Sequence, residues 1–161
     1  THAHNLGKEG AALQAYAISL AASLEPRVTF DRHVFLTRLI DFAQERVYQE
    51  KLNRIKGLLV KPSGARVVTE LGNGIEAFNS VPTAIYSFLA HPDSFAGAVL
   101  SGISLGGDTD TIGAMTGAIS GAYLGVKAIP NSWRNKLENR AYIEELAEKL
   151  WAGFEPASQL V

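Results

Sequence analysis

Gly106-Gly107-Asp108-Thr109-Asp110-Thr111 is the stretch of this 161-residue chain whose residue types and spacing could do chemistry. Two carboxylates two positions apart, flanked by hydroxyls and preceded by paired glycines, suit a turn that wraps a hard cation. If Asp108 and Asp110 point into one site, their repulsion at an effective dielectric of about 20 is roughly 3 kcal/mol, which a positive charge between them would offset. Oxygen-only donors favour Mg²⁺, Mn²⁺ or Ca²⁺ over Zn²⁺ or copper. The same six residues also read as a helix start, an Asp N-cap with a second Asp favoured by the helix dipole. Gly106 and Gly107 would let backbone approach metal or substrate closely, or serve the turn alone. On the hexapeptide both readings stand.

The elements that must hold this stretch read as helices. Asn5 to Leu24 has helical spacing, with Leu6, Leu13, Ala17 and Leu20 near one face and Pro26 ending the pattern. Asp31 caps a second helix whose stripe is Phe35, Leu39 and Phe42, widened by Leu36 and Ile40. A third runs through Leu52, Ile55 and Leu59 to Lys61-Pro62. Ser63 caps a short fourth through Val67, Val68 and Leu71, closed by Gly72. Asn73-Gly74 is a turn signal. Ser80-Val81-Pro82 reads as a cap with proline in the first turn of a helix carrying Ile85, Tyr86 and Leu89, which stops at His91-Pro92. Asp93 starts another through Phe95, Val99 and Leu100.

After the Asp loop, Ile112 to Leu124 forms a helix of small residues. Gly113, Gly117, Gly121 and Gly125 recur every fourth position, as do Ala114, Ala118 and Ala122, so one face is smooth enough for another helix to approach closely. Glycines in a helix cost roughly 1 kcal/mol each relative to alanine, and tight packing must offset them. Ile129-Pro130 breaks the chain, and a last amphipathic helix runs from Tyr142 to Trp151 with Ile143, Leu146, Leu150 and Trp151 inward. No alternating strand pattern appears. The fold expected is all-α, with residues 1–161 as one helical segment.

Composition narrows the function classes. At 47% hydrophobic and 19% charged the chain is globular. A net charge of −1 offers no electrostatic reason for nucleic acid or an anionic membrane as partner. The absence of cysteine excludes disulfides, a thiol nucleophile and thiolate metal sites, and fits a reducing, intracellular compartment. Gly-x-x-x-Gly also marks transmembrane dimers, but this stretch is short, poor in Leu and Phe, and followed by Lys127. Thr1-His2-Ala3-His4 carries neither the basic nor the apolar region of a signal peptide. With no initiating Met, the chain is expected to begin inside a longer reading frame. Lys51, Arg54 and Lys56 read as a solvated helix face, Tyr86 and Tyr123 as core, and His4 as solvent-exposed.

Three motifs in order carry a family resemblance. Ser104-Leu105-Gly106-Gly107-Asp108-Thr109-Asp110-Thr111-Ile112, with Gly117-Ala118-Ile119-Ser120-Gly121-Ala122-Tyr123-Leu124-Gly125 after it, is similar to the C-terminal signature of the ADP-ribosylglycohydrolase family. Thr1-His2-Ala3 with Leu6-Gly7 and Gly10-Ala11 matches upstream. Glu70-Leu71-Gly72-Asn73-Gly74-Ile75 through Ser80-Val81-Pro82-Thr83-Ala84-Ile85-Tyr86 resembles the branch that removes ADP-ribose from serine and degrades poly(ADP-ribose). Ser132-Trp133 after Pro130 also fits.

That resemblance implies a compact orthogonal helical bundle, an all-α hydrolase about twice this length, with a two-Mg²⁺ site shared between its halves and Mn²⁺ as the other candidate ion. Asp108, Asp110 and Thr111 match the C-terminal metal ligands, with Asp110 bridging both ions, while Thr109 is a turn residue. His2 matches a histidine near the pyrophosphate, or is a plain terminal histidine. Ile75 falls where the related branch lines the adenosine or ribose pocket, or is a core residue after the turn. Gly106 and Gly107 fall at the substrate-binding loop. The family's Gly-Asp motif, catalytic Glu, Thr-Asp-Asp triplet and Gly/Ser-rich phosphate stretch are absent from this sequence.

The chain is therefore expected to be a C-terminal half. It would carry no catalytic residue of its own and would need the N-terminal half to act on ADP-ribosylated protein or poly(ADP-ribose). By itself it should be inactive, and prone to aggregate for want of a partner over its apolar face. The other readings are a non-catalytic ADP-ribose or metal-binding module, and a structural relative of the crystallin kind.

Overall fold

A computed structural model describes residues 3–24 and 30–153. Pro26 and His2, to which the sequence assigns roles, lie outside the described residues. The chain divides into two compact units, Thr1–Ala128 and Ile129–Val161.

The first unit contains α1 (Asn5–Ala22), α2 (Arg32–Phe42), α3 (Arg46–Val60), α4 (Gly64–Leu71), α5 (Ala77–Ala90), α6 (Phe95–Ile103) and α7 (Thr109–Leu124), followed by a 3₁₀ turn at Val126–Ala128. The second holds α8 (Asn131–Arg134) and α9 (Arg140–Ala152). The described residues include no strand, as the sequence requires, and no helix long and apolar enough to cross a membrane.

Most helix boundaries follow from local chemistry. Asp31 takes the N–H groups of His33 and Val34 at 2.8 and 3.0 Å, satisfying two of the amides that a helix start leaves unpaired. Gly72, at φ +84°, ends α4. Ser63 stands at the N-cap of α4 but its side chain makes no capping bond there. Ser94, not Asp93, caps α6 through Gly97 N–H. The core positions of α6 are Ala98 and Gly102, while Leu100 faces out.

Pro82 departs most sharply from the sequence expectation. α5 begins at Ala77, where the Glu76 carbonyl accepts from Asn79 N–H at 2.8 Å and Ser80 N–H at 3.0 Å. Ser80 is therefore no cap but a buried residue, and Pro82 lies inside the helix. An interior proline costs about 3 kcal/mol. Every residue from Ser80 to Leu89 is buried, and that packing offsets the cost.

The core of the first unit is built around α7, which packs on α1, α5 and α6. An aromatic cluster ties it to the second helix: Phe30 lies 5.0 Å from Tyr123 and 5.4 Å from Phe88, and Phe35 lies 5.5 Å from Phe88. Tyr123 and Tyr86 are buried as expected. The smooth face of α7 receives α6: the nearest neighbours of Gly113, Gly117 and Gly121 are Ile103, Val99 and Phe95. Phe42 stacks on Tyr16 at 4.4 Å without being fully buried.

One cap comes from tertiary structure. The Glu9 carboxylate on α1 accepts from Gln44 N–H at 2.7 Å and Glu45 N–H at 2.8 Å, closing the start of α3, whose own N-cap residue makes no side-chain bond. Lys51 departs from the solvated basic face. Its ammonium donates to the Leu71 carbonyl at 2.6 Å and to Asn79, and lies 5.0 Å from the Phe78 ring centre. Burial lowers its pKa first, the Arg54 charge second, with Glu76 acting the other way.

In the second unit the inward face expected for α9 is not formed. Ile143 and Leu146 are about half exposed, Leu150 and Trp151 more so, and no residue of α9 is buried. Two short helices cannot enclose a core. Arg134 of α8 donates to Glu144 of α9 at 2.7 Å, and Arg140 within α9 donates to the same carboxylate at 2.9 Å, which together hold its carboxyl below the ordinary range.

Candidate metal centre

The Asp loop connects α6 to α7, and its shape is set by two glycines. Gly106 and Gly107 have φ of +72° and +69°, the left-handed region that side chains disfavour. At 107 the constraint is doubled, because a Cβ would overlap the main-chain oxygen of Asn73.

Asp108 occupies the N-cap position of α7, at φ −82° and ψ 65°, yet its side chain makes no capping bond. Its Oδ1 accepts from the Thr111 hydroxyl at 2.9 Å instead. The helix-start reading is thus right in position, while the carboxylate remains uncommitted to the helix amides. Asp110 is exposed on the first turn. Its carboxyl is held below the usual carboxylate range by Thr111 N–H first, then by the Asp108 carboxyl and its own N–H. Amides at a helix start favour negative charge, so Asp110 stays ionised.

The donor set is two carboxylates and a hydroxyl at a solvent-accessible helix start, and it suits a small hard dication. Mg²⁺ takes about six oxygens in near-octahedral order, so three side chains fill part of a shell. Among the described residues no group of three or more His, Cys, Asp or Glu side chains converges as a cage. The loop fits the ion as one side of a site.

A second loop lies against the first. Asn73, between α4 and α5, accepts Asp108 N–H on its carbonyl at 2.8 Å and donates Nδ2 to the Leu105 carbonyl at 2.9 Å. In the sequence Asn73-Gly74 is only a turn signal; its place beside the Asp loop depends on a contact between segments far apart in the chain. Ile75 in the same loop is 80% exposed in this chain. His4 is exposed as expected and caps α1, its Nδ1 accepting Leu6 N–H at 3.2 Å.

The sequence profile of ADP-ribosylglycohydrolase matches residues 1–159. This chain belongs to the ADP-ribosylglycohydrolase family. It is 39% identical to the ADP-ribosylhydrolase ARH3 of Mus musculus over 98% of its own length and 50% of that protein's. For ADP-ribosylhydrolase ARH3 of Bos taurus and Homo sapiens the identity is 40%, over 96% of this chain and 50% of each relative. The chain thus spans about half the length of these curated relatives. The all-helical fold agrees with membership of the ADP-ribosylglycohydrolase family.

Proposed function

We propose that this chain is the C-terminal half of a Mg²⁺-dependent ADP-ribosyl-acceptor hydrolase, contributing Asp108, Asp110 and Thr111 to a binuclear metal site. The observation that carries the reading is the Asp108 carboxylate, which sits at the start of α7, bonds Thr111 and leaves the helix amides alone. A cap would commit that oxygen to the helix; a ligand must keep it.

The substrate class is protein carrying ADP-ribose on serine, or poly(ADP-ribose), with cleavage at an O-glycosidic bond. Support comes from similarity to the ADP-ribosylhydrolase ARH3 proteins across nearly the whole chain. When bound, the dications would act as Lewis acids and orient the ribose hydroxyls. This chain's part is to present anionic oxygens: the low pKa of Asp110 keeps it ionised, and Thr111 orients Asp108. Positive φ at Gly106 and Gly107 keeps the approach free of side chains. On this reading the exposed Ile75 offers an apolar wall to the sugar or base, and the resemblance assigns His2 to the pyrophosphate. The general acid/base, a Glu, comes from the N-terminal half, as do the remaining metal ligands.

The test is release of free ADP-ribose from a serine-ADP-ribosylated peptide with Mg²⁺, by this chain alone and with the N-terminal half added. Activity only in the mixture, abolished by Asp110→Ala, is the expected result. Turnover by this chain alone would contradict the division of the site. A folded mixture that binds ADP-ribose without hydrolysing it would select the binding-module reading.

A further inference from the structure

We propose that Asn73 is the positioning residue of the Asp loop, a two-ended clamp that fixes where Asp108, and with it Asp110 and Thr111, present their oxygens. The inference rests on the metal reading of that loop given above and adds to it a residue outside the ligand set.

Asn73 grips both ends of the glycine pair. Its side-chain Nδ2 donates to Leu105 O at 2.9 Å, immediately before Gly106, and its main-chain carbonyl accepts Asp108 N–H at 2.8 Å, immediately after Gly107. Between those anchors lie two residues with positive φ, the segment with the most backbone freedom to lose. Gly107 touches Asn73 so closely that no side chain fits, so the two loops meet backbone to backbone. Within the loop itself, Thr109 N–H to Gly107 O at 3.0 Å is a short-range turn bond that cannot orient the loop against the rest of the molecule.

A clamp is useful only if it is itself held. The buried Thr83 hydroxyl donates to Gly72 O at 2.6 Å, and Lys51 donates to Leu71 O at 2.6 Å and to Asn79. Asn79 in turn donates to Glu76 at 3.0 Å. The two residues before Asn73 are thus pinned by α3 and α5. The frame passes from those helices through Asn73 to the start of α7. Groups that orient metal ligands from outside typically change metal affinity 10–100-fold when removed.

The experiment measures Mn²⁺ binding by electron paramagnetic resonance in the mixture of this chain with the N-terminal half that completes the site, together with amide hydrogen exchange at Asp108 in the metal-free mixture. Variants are Asn73→Asp, which keeps the shape and removes the donor, and Asn73→Ala. Tyr48→Phe, which removes a buried hydroxyl bonded to Leu6 O and not to the loop, controls for general destabilisation. The expected result is a protected Asp108 amide in the wild type, faster exchange in both Asn73 variants, and a 10–100-fold loss of Mn²⁺ affinity in them while Tyr48→Phe stays within about twofold. Wild-type Mn²⁺ affinity in the Asn73 variants would overturn the positioning role alone. An Asp108 amide exchanging at the unprotected rate in the wild type would overturn the clamp without needing a variant. A wild type that binds no Mn²⁺ would overturn the metal reading and the positioning role together.

Discussion

The main-chain N–H of Asp108 donates to the carbonyl of Asn73 at 2.8 Å, so the first residue of the candidate ligand set is held by a turn from another part of the chain. That bond brings the two backbones so close that the intervening position, 107, has no room for a side chain.

The two glycines of the loop should therefore respond unequally. Gly106→Ala meets no neighbour closer than 3.8 Å and bears only the cost of positive φ, about 1 kcal/mol. Gly107→Ala bears that cost and must also separate the Asp loop from Asn73, and should lose roughly 3 kcal/mol or more. Urea unfolding of the two variants checks the order. Equal losses would mean that the backbone contact at 107 relaxes freely.

Glu9 is expected to matter more than an exposed carboxylate usually does. It satisfies the amides of Gln44 and Glu45 that start α3, and Glu9→Ala leaves them unpaired. The loss should be about 1–2 kcal/mol, in the range of N-cap deletions. Glu9→Gln keeps an acceptor and should recover part of it. Chemical denaturation of both variants measures the difference.

Stability should fall at high pH, chiefly through Tyr48. Its hydroxyl is buried, donates to Leu6 O at 2.6 Å, and has its pKa pushed up to about 12 by burial and by the Glu9 charge. The folded state keeps this proton while the unfolded chain releases it near 10, so stability is lost as pH rises from about 10 to 12. The loss from this group is roughly 2 kcal/mol. Tyr48→Phe should flatten the alkaline limb of a stability–pH curve, though Tyr86 and Tyr123, also raised by burial, leave some slope.

Lys51 works in the opposite sense. Because burial lowers its pKa, the folded state gives up this proton before the unfolded chain does, and stability gains as pH rises toward 10.5. Lys51→Met keeps the stem over Phe78 and removes that gain, so its alkaline decline should be steeper than the wild type's. A variant curve parallel to the wild type would show that the ammonium is better solvated than its contacts with Leu71 and Asn79 imply.

Much of this protein is legible in the residue order. Apolar spacing, caps such as Asp31 and stops such as Gly72 are local signals, governed by contacts within four residues, and they specify an all-α chain and the helix after the Asp loop. The spacing of Asp108, Asp110 and Thr111 is likewise visible, because a loop and the first turn after it are contiguous. What only the tertiary structure decided is whatever needs two distant segments. Ser80 and Pro82 look like a helix start, but burial of the whole Ser80–Leu89 stretch of α5 overrides the local preference. Lys51 looks solvated until α4 and α5 close over it. The residues expected to form an inward face on α9 are exposed, since an amphipathic pattern marks a face that can be buried without supplying what buries it. Asn73 shows the limit most clearly. A turn residue and an Asp loop are each readable alone, but the 2.8 Å backbone hydrogen bond between them exists only once helices have brought them together, and no periodicity in the chain records that distance.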